Sequence, residues 1–153
     1  MNNDTSDVTI RDLDDEECRG LLADSGVGRI AYTFRDRVDI QPLSYAFDDG
    51  WIFGRTSHGS KLEMLAHRPW VAFEVDEVVG PFQWRSVVVH GSFNVLADEG
   101  GPTDRATYAR ALRALSRIMP GAFSGDDPVP ERTVLFGIAV HEITGRMASP
   151  NSR

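Results

Sequence analysis

Val27-Gly28-Arg29-Ile30-Ala31-Tyr32-Thr33-Phe34, followed by Arg35-Asp36-Arg37, a second run from Val38 to Phe47, Asp48-Asp49-Gly50 and a third run from Trp51 to Arg55, is the stretch that decides the fold. Runs rich in β-branched and aromatic residues are separated by polar triplets that favour turns, the pattern of strands joined in a tight meander. Pro42 sits inside the second run and has no N–H to give a ladder, so that strand belongs at an edge or is bulged near residue 42.

On the N-terminal side, residues 1–7 are polar and are expected to be disordered. Asp14 is placed to cap a helix with Glu17 at the reciprocal position, and Cys18, Leu21 and Leu22 then share one helical face. On the C-terminal side, Ser60 to His67 is expected to form a short helix, ended before Pro69. Trp70 to Val75 reads as a strand, Gly80-Pro81 as a linker and Trp84 to Leu96 as the longest strand, with Gly91 marking a bulge or bend. Pro102 to Met119 carries the strongest helical periodicity, with Tyr108, Leu112 and Leu115 on one face and Pro102 in the first turn. Residues 121–131 read as a polar loop, and Thr133 to Glu142 as the last strand. The expected fold is therefore mainly β with short helices, its six strands forming a small antiparallel barrel, closed or partly closed.

The 153 residues, 41% of them hydrophobic, suit one domain over 1–153 with an ordinary core. The longest apolar run, Val134 to Val140, is far short of the roughly 20 residues of a membrane helix, so no membrane span is expected. MNNDTSDV lacks the features of a secretory signal, which favours a cytoplasmic location. The single cysteine, Cys18, cannot form an internal disulfide and reads as core filler. A net charge of 16 − 23 = −7 argues against a nucleic-acid partner but leaves room for a local anion pocket.

Gly54-Arg55-Thr56-Ser57-His58-Gly59-Ser60-Lys61 is where such a pocket would lie. The Arg55 guanidinium, the hydroxyls of Thr56, Ser57 and Ser60, the Lys61 ammonium and the free N–H groups of a helix start are all phosphate-binding chemistry. The spacing is neither that of a Walker loop nor that of a dinucleotide fingerprint. A plain polar turn is the competing reading. Farther on, Trp84 and Ser86 head the long strand and could meet a flat ring. The histidines, His58, His67, His90 and His141, lack zinc spacing, so no metal is expected. Ser57 and His58 have no orienting acid, which makes a hydrolase triad a poor fit. Asp48-Asp49 and Asp126-Asp127 read as solvated turn acids.

Taken in order, Gly28-Arg29-Ile30-Ala31, Gln41-Pro42-Leu43-Ser44-Tyr45, Arg55 through Lys61, Val71 through Asp76, Trp84 through Gly91 and Ile143-Thr144-Gly145-Arg146 resemble the FMN-binding split-barrel family. That family includes pyridoxamine 5'-phosphate oxidases and 5-nitroimidazole-resistance-type reductases. The resemblance implies a split β-barrel and a homodimer with FMN in clefts at the subunit interface. Lys61 and Ser60 match phosphate contacts, and Gly54 and Arg55 match the end of the flavin-binding strand. Pro42, Leu43 and Ser44 would run beside the isoalloxazine ring, while Ser86 takes a position that reaches the flavin from the other subunit. Asp39 stands where the vitamin oxidases carry an arginine, and their Arg- and Trp-rich C-terminal segment is missing. The nitroimidazole-reductase-like branch, acting on a small conjugated or nitro-aromatic acceptor, is thus the better fit. No catalytic side chain is assigned, since the electron chemistry would belong to the cofactor. An F420-dependent reductase and a noncatalytic flavin-binding or interaction module are the alternatives.

Overall fold

The computed structural model describes residues 7–65 and 69–151. Its elements are β1 (Val8–Asp12), α1 (Asp15–Asp24), β2 (Val27–Phe34), β3 (Arg37–Ser44), β4 (Ala46–Asp48), β5 (Trp51–Thr56), β6 (Trp70–Gly80), β7 (Gln83–Val95), α2 (Pro102–Ile118) and β8 (Val134–Pro150). The residues of the meander form strands where alternation predicts them. In β2, Ile30 and Tyr32 are buried while Val27 and Thr33 face out. Asp14 accepts from the Glu17 N–H at 2.8 Å and Glu17 returns the bond to the Asp14 N–H, a complete capping box at the start of α1.

The expected six-stranded barrel is not what forms. One antiparallel sheet of eight strands runs β3-β2-β6-β7-β8-β5-β4, with β1 added to the far half of β8. It is open, because among the described residues β3 is laddered only to β2 and β4 only to β5. The cause lies at Tyr45. Its ring enters the core, its hydroxyl donates to the Leu22 carbonyl at 2.6 Å and its N–H donates to Gly26, so the run from Val38 to Phe47 breaks into two strands on opposite edges. The other additions are β1 and the continuation of the last strand from Ile143 to Pro150, which pairs with both β1 and β7. Pro42 does occupy an edge strand. The ladder between β7 and β8 slips at His90/Gly91, with His141 the extra residue on β8.

The sheet curls around a core of Leu21 and Leu22 from α1 with Ile30, Phe73, Val75, Val87, Val89, Phe93 and Phe136, and Cys18 is buried within it. On the other face of β5, α2 packs Ala111 and Leu115 against Phe53 and Leu135. Burying 17 such side chains in the larger core, at roughly 1.5–3 kcal/mol each, is the dominant favourable term for the fold. No helix among the described residues is long and apolar enough to cross a membrane.

Candidate functional site

The segment after β5 is a compact turn. Gly59 takes the left-handed backbone (φ +80°) that a side chain would disfavour. Thr56 Oγ1 donates to Ser60 Oγ at 2.9 Å, Ser60 Oγ accepts from the Glu63 N–H at 3.2 Å, and Glu63 accepts from the Gly59 N–H at 2.8 Å. Leu62 is buried and draws the turn onto the core. The expected helix is absent from the described part of Ser60 to His67. The Met64 N–H bonds to Ser60 and the Leu65 N–H to Leu62, single turns that do not propagate. His67 lies outside the described residues. His58 is paired with Glu63 at 2.9 Å. The Gly59 N–H first, and then His58, hold the Glu63 carboxyl below its ordinary range.

Lys61 reaches across to β3, where its ammonium meets Asp39 at 3.0 Å. This contact brings the turn to the edge strand that carries Pro42, Leu43 and Ser44. Pro42 is exposed opposite Arg29, Leu43 packs against the core opposite Gly28, and Ser44 is half-buried opposite Val27. As an edge strand, β3 leaves one side of its backbone without a ladder.

Arg55 lies elsewhere. Alternation along β5 turns it toward the α2 side, where Asp127 receives its two terminal nitrogens at 2.6 and 2.8 Å. Both side chains are almost fully buried, and the Phe123 ring lies 4.8 Å from the guanidinium carbon. Asp127 also accepts from the N–H groups of Phe123 and Val129, so one carboxylate organises the 121–131 loop. The Arg55 bond, above all, holds it well below the usual carboxylate range. Asp127 is therefore no solvated turn acid. Arg55 Nε remains buried without a partner among the described residues. Gly54 is small for a packing reason, since a Cβ there would come within 2.4 Å of the Phe136 ring.

Trp84 and Ser86 sit on β7, paired with Val78 and Asp76 of β6. Two strands separate β7 from β3, a lateral spacing of roughly 14 Å across the sheet. Within one chain they do not join the turn. Three further side chains escape sequence reading. Arg29 bridges Glu74 and Asp76 at 3.4 and 3.2 Å on the outer face of the sheet. Burial first, then the neighbouring Asp76, push the Glu74 carboxyl up to about 7. The outward phase of alternation on β2 and β6 was readable; which outward groups meet was not. Among the described residues no three potential metal ligands converge. Arg110 of α2 is committed to Asp48, which is therefore no solvated turn acid either.

Residues 14–147 match the family model described as pyridoxamine 5'-phosphate oxidase. A crystal structure of an FAD-binding protein from Mesorhizobium loti is 29% identical, covering 92% of this chain and 99% of that one, with a TM-score of 0.71. The FAD-binding protein from Mycobacterium smegmatis is 27% identical, covering 90% and 99%, with a TM-score of 0.67. An uncharacterized protein of Rhizobium meliloti (strain 1021) is 28% identical over 147 residues, 91% of this chain and 95% of that protein.

Proposed function

This chain belongs to the pyridoxamine 5'-phosphate oxidase family, a family of flavin-binding fold, and from that premise we propose that it is a flavin-dependent oxidoreductase acting on a small conjugated or nitro-aromatic acceptor. The observation that carries the reading is the Lys61–Asp39 contact, which sets a turn rich in hydroxyls beside the open backbone edge of β3. Hydroxyls and an ammonium suit a phosphate, and an unladdered strand edge suits a planar heterocycle.

Lys61, Ser60, Thr56 and Ser57 would hold the phosphate. A backbone N–H of Leu43 or Ser44 would donate to the ring, Pro42 having none to give. Arg55 would not join them, since its fork is already filled by Asp127. When bound, the flavin supplies the electron transfer. The chain binds and orients it and donates hydrogen bonds where charge develops on reduction. We further propose one domain, a homodimer in which Trp84 and Ser86 of a second copy complete the cleft, and a cytoplasmic location. FMN is the cofactor implied by the resemblance. FAD enters because two solved relatives are described as FAD-binding proteins.

Absorbance of the purified protein, with mass spectrometry of what heat releases, tests the cofactor. FMN or FAD supports the reading, and released F420 replaces it with the deazaflavin alternative. A protein whose addition leaves the spectra of both flavins unchanged at micromolar concentration rejects it. Anaerobic reduction followed by acceptor turnover then separates an enzyme from a noncatalytic carrier.

A further inference from the structure

The cations of the Arg55 to Lys61 turn are already matched by carboxylates. Lys61 holds Asp39 at 3.0 Å, Arg55 holds Asp127 at 2.6 Å and His58 holds Glu63 at 2.9 Å. Counting His58 as neutral, these three pairs set two cations against three carboxylates, 2 − 3 = −1. Of the two fixed cations only Lys61 is exposed, because Arg55 and Asp127 are 3% and 4% exposed.

Such balance discriminates between phosphates. A phosphate monoester carries about −1.5 to −2 near pH 7, with its second ionisation near pH 6. A phosphodiester carries a single charge over the whole range. The cost of taking an ion out of water grows as the square of its charge, whereas attraction to a nearby cation grows only in proportion. A strongly positive pocket can offset the larger cost of the dianion. An ammonium with a carboxylate 3.0 Å away offers much less, because Asp39 cancels most of the field that Lys61 would supply.

We propose that Asp39 is a specificity residue that sets the Lys61 cradle for a phosphate that carries one charge, as in a phosphodiester or in either half of the diphosphate bridge of a flavin adenine dinucleotide, over the doubly charged terminal phosphate monoester of FMN. The inference rests on the flavin reading above and adds which phosphate chemistry the site accepts. Asp39 can act this way because its position in β3, opposite Tyr32, turns it toward the turn, while its neighbours Val38 and Ile40 face outward.

The test compares, on the full chain stripped of flavin at pH 8, the dissociation constants of FMN and of its methyl ester, a phosphodiester without adenine, with FAD and riboflavin alongside. The methyl ester is expected to bind about tenfold tighter than FMN, a difference that adenine contacts cannot produce. Asp39→Asn is expected to strengthen FMN by about tenfold and the ester much less, closing the gap, while Asp39→Glu keeps it. FMN binding as tightly as its ester, or a ratio unmoved by Asp39→Asn, overturns the inference and leaves the flavin reading standing. Failure of all four ligands to bind overturns both.

Discussion

A single side chain can separate the phosphate reading from the polar-turn reading. Lys61 is more than half exposed and, among the described residues, is paired with Asp39 alone, so its loss threatens the fold little. If its ammonium donates to a flavin phosphate, Lys61→Ala should weaken flavin binding by about 1.5–3 kcal/mol, the range for hydrogen bonds to charged groups. Fluorescence titration reads this directly, and an unchanged dissociation constant removes Lys61 from the site. Glu74 makes a prediction about pH. Its carboxyl is raised from 4.5 to about 7 by burial and by Asp76, partly offset by Arg29. Between those values the folded chain keeps a proton that the unfolded chain has lost, so stability falls as pH rises through the window. The contribution is whole below about 4.5 and gone above about 7. Melting curves of Glu74→Gln should therefore lack this decline. A parent and variant with parallel profiles from pH 4.5 to pH 8 would show that the proton is not there.

The slip between β7 and β8 shows how an element depends on a close backbone approach. At Gly91 a Cβ would stand 2.2 Å from the Ala139 carbonyl oxygen and 2.9 Å from Ile138, with backbone on one side that cannot swing away. Gly91→Ala should then cost about 1–3 kcal/mol or more, seen as a lower urea midpoint, whereas alanine at Gly20, which has open space, should be tolerated. Equal midpoints would mean that the strands can part there without penalty. Periodicity and turn chemistry made these elements largely legible. The capping box, both helices, the edge position of Pro42 and the irregularity at Gly91 follow from rules that act within a few residues. The rest failed where distant groups decide. The break at Tyr45 needs Leu22 and Gly26, and the far half of β8 needs β1 and β7 to cover it. The site divides the same way. The hydroxyls and Lys61 stand out in the sequence, but the carboxylates that match its charges come from β3 and the 121–131 loop, and nothing local announces Asp39 or Asp127 as partners.

Across the described residues, one sheet face is filled by α1 and another is left uncovered over β3, β2 and β6. Val38, Ile40 and Trp70 are 80%, 68% and 67% exposed there, and Val38 and Trp70 border a hollow of about 250 Å³ that Tyr32 and His90 also line. An apolar surface of this kind on a folded chain calls for a partner. A second copy suits the proposed cleft, because Trp84 and Ser86 lie too far along the sheet to meet the Lys61 turn of their own chain. Val38→Lys distinguishes a covered face from a bare one. At 80% exposure the side chain contributes little to the isolated fold, so circular dichroism should be unchanged. Beneath a second subunit the same lysine would be a buried, unpaired charge, and assembly should fail. Sedimentation equilibrium should then find dimers of the parent chain and monomers of the variant. A variant that stays dimeric assigns the interface to another surface. A parent that sediments as a monomer at every concentration leaves Trp84 and Ser86 with no route to the cofactor, and the shared cleft must be given up.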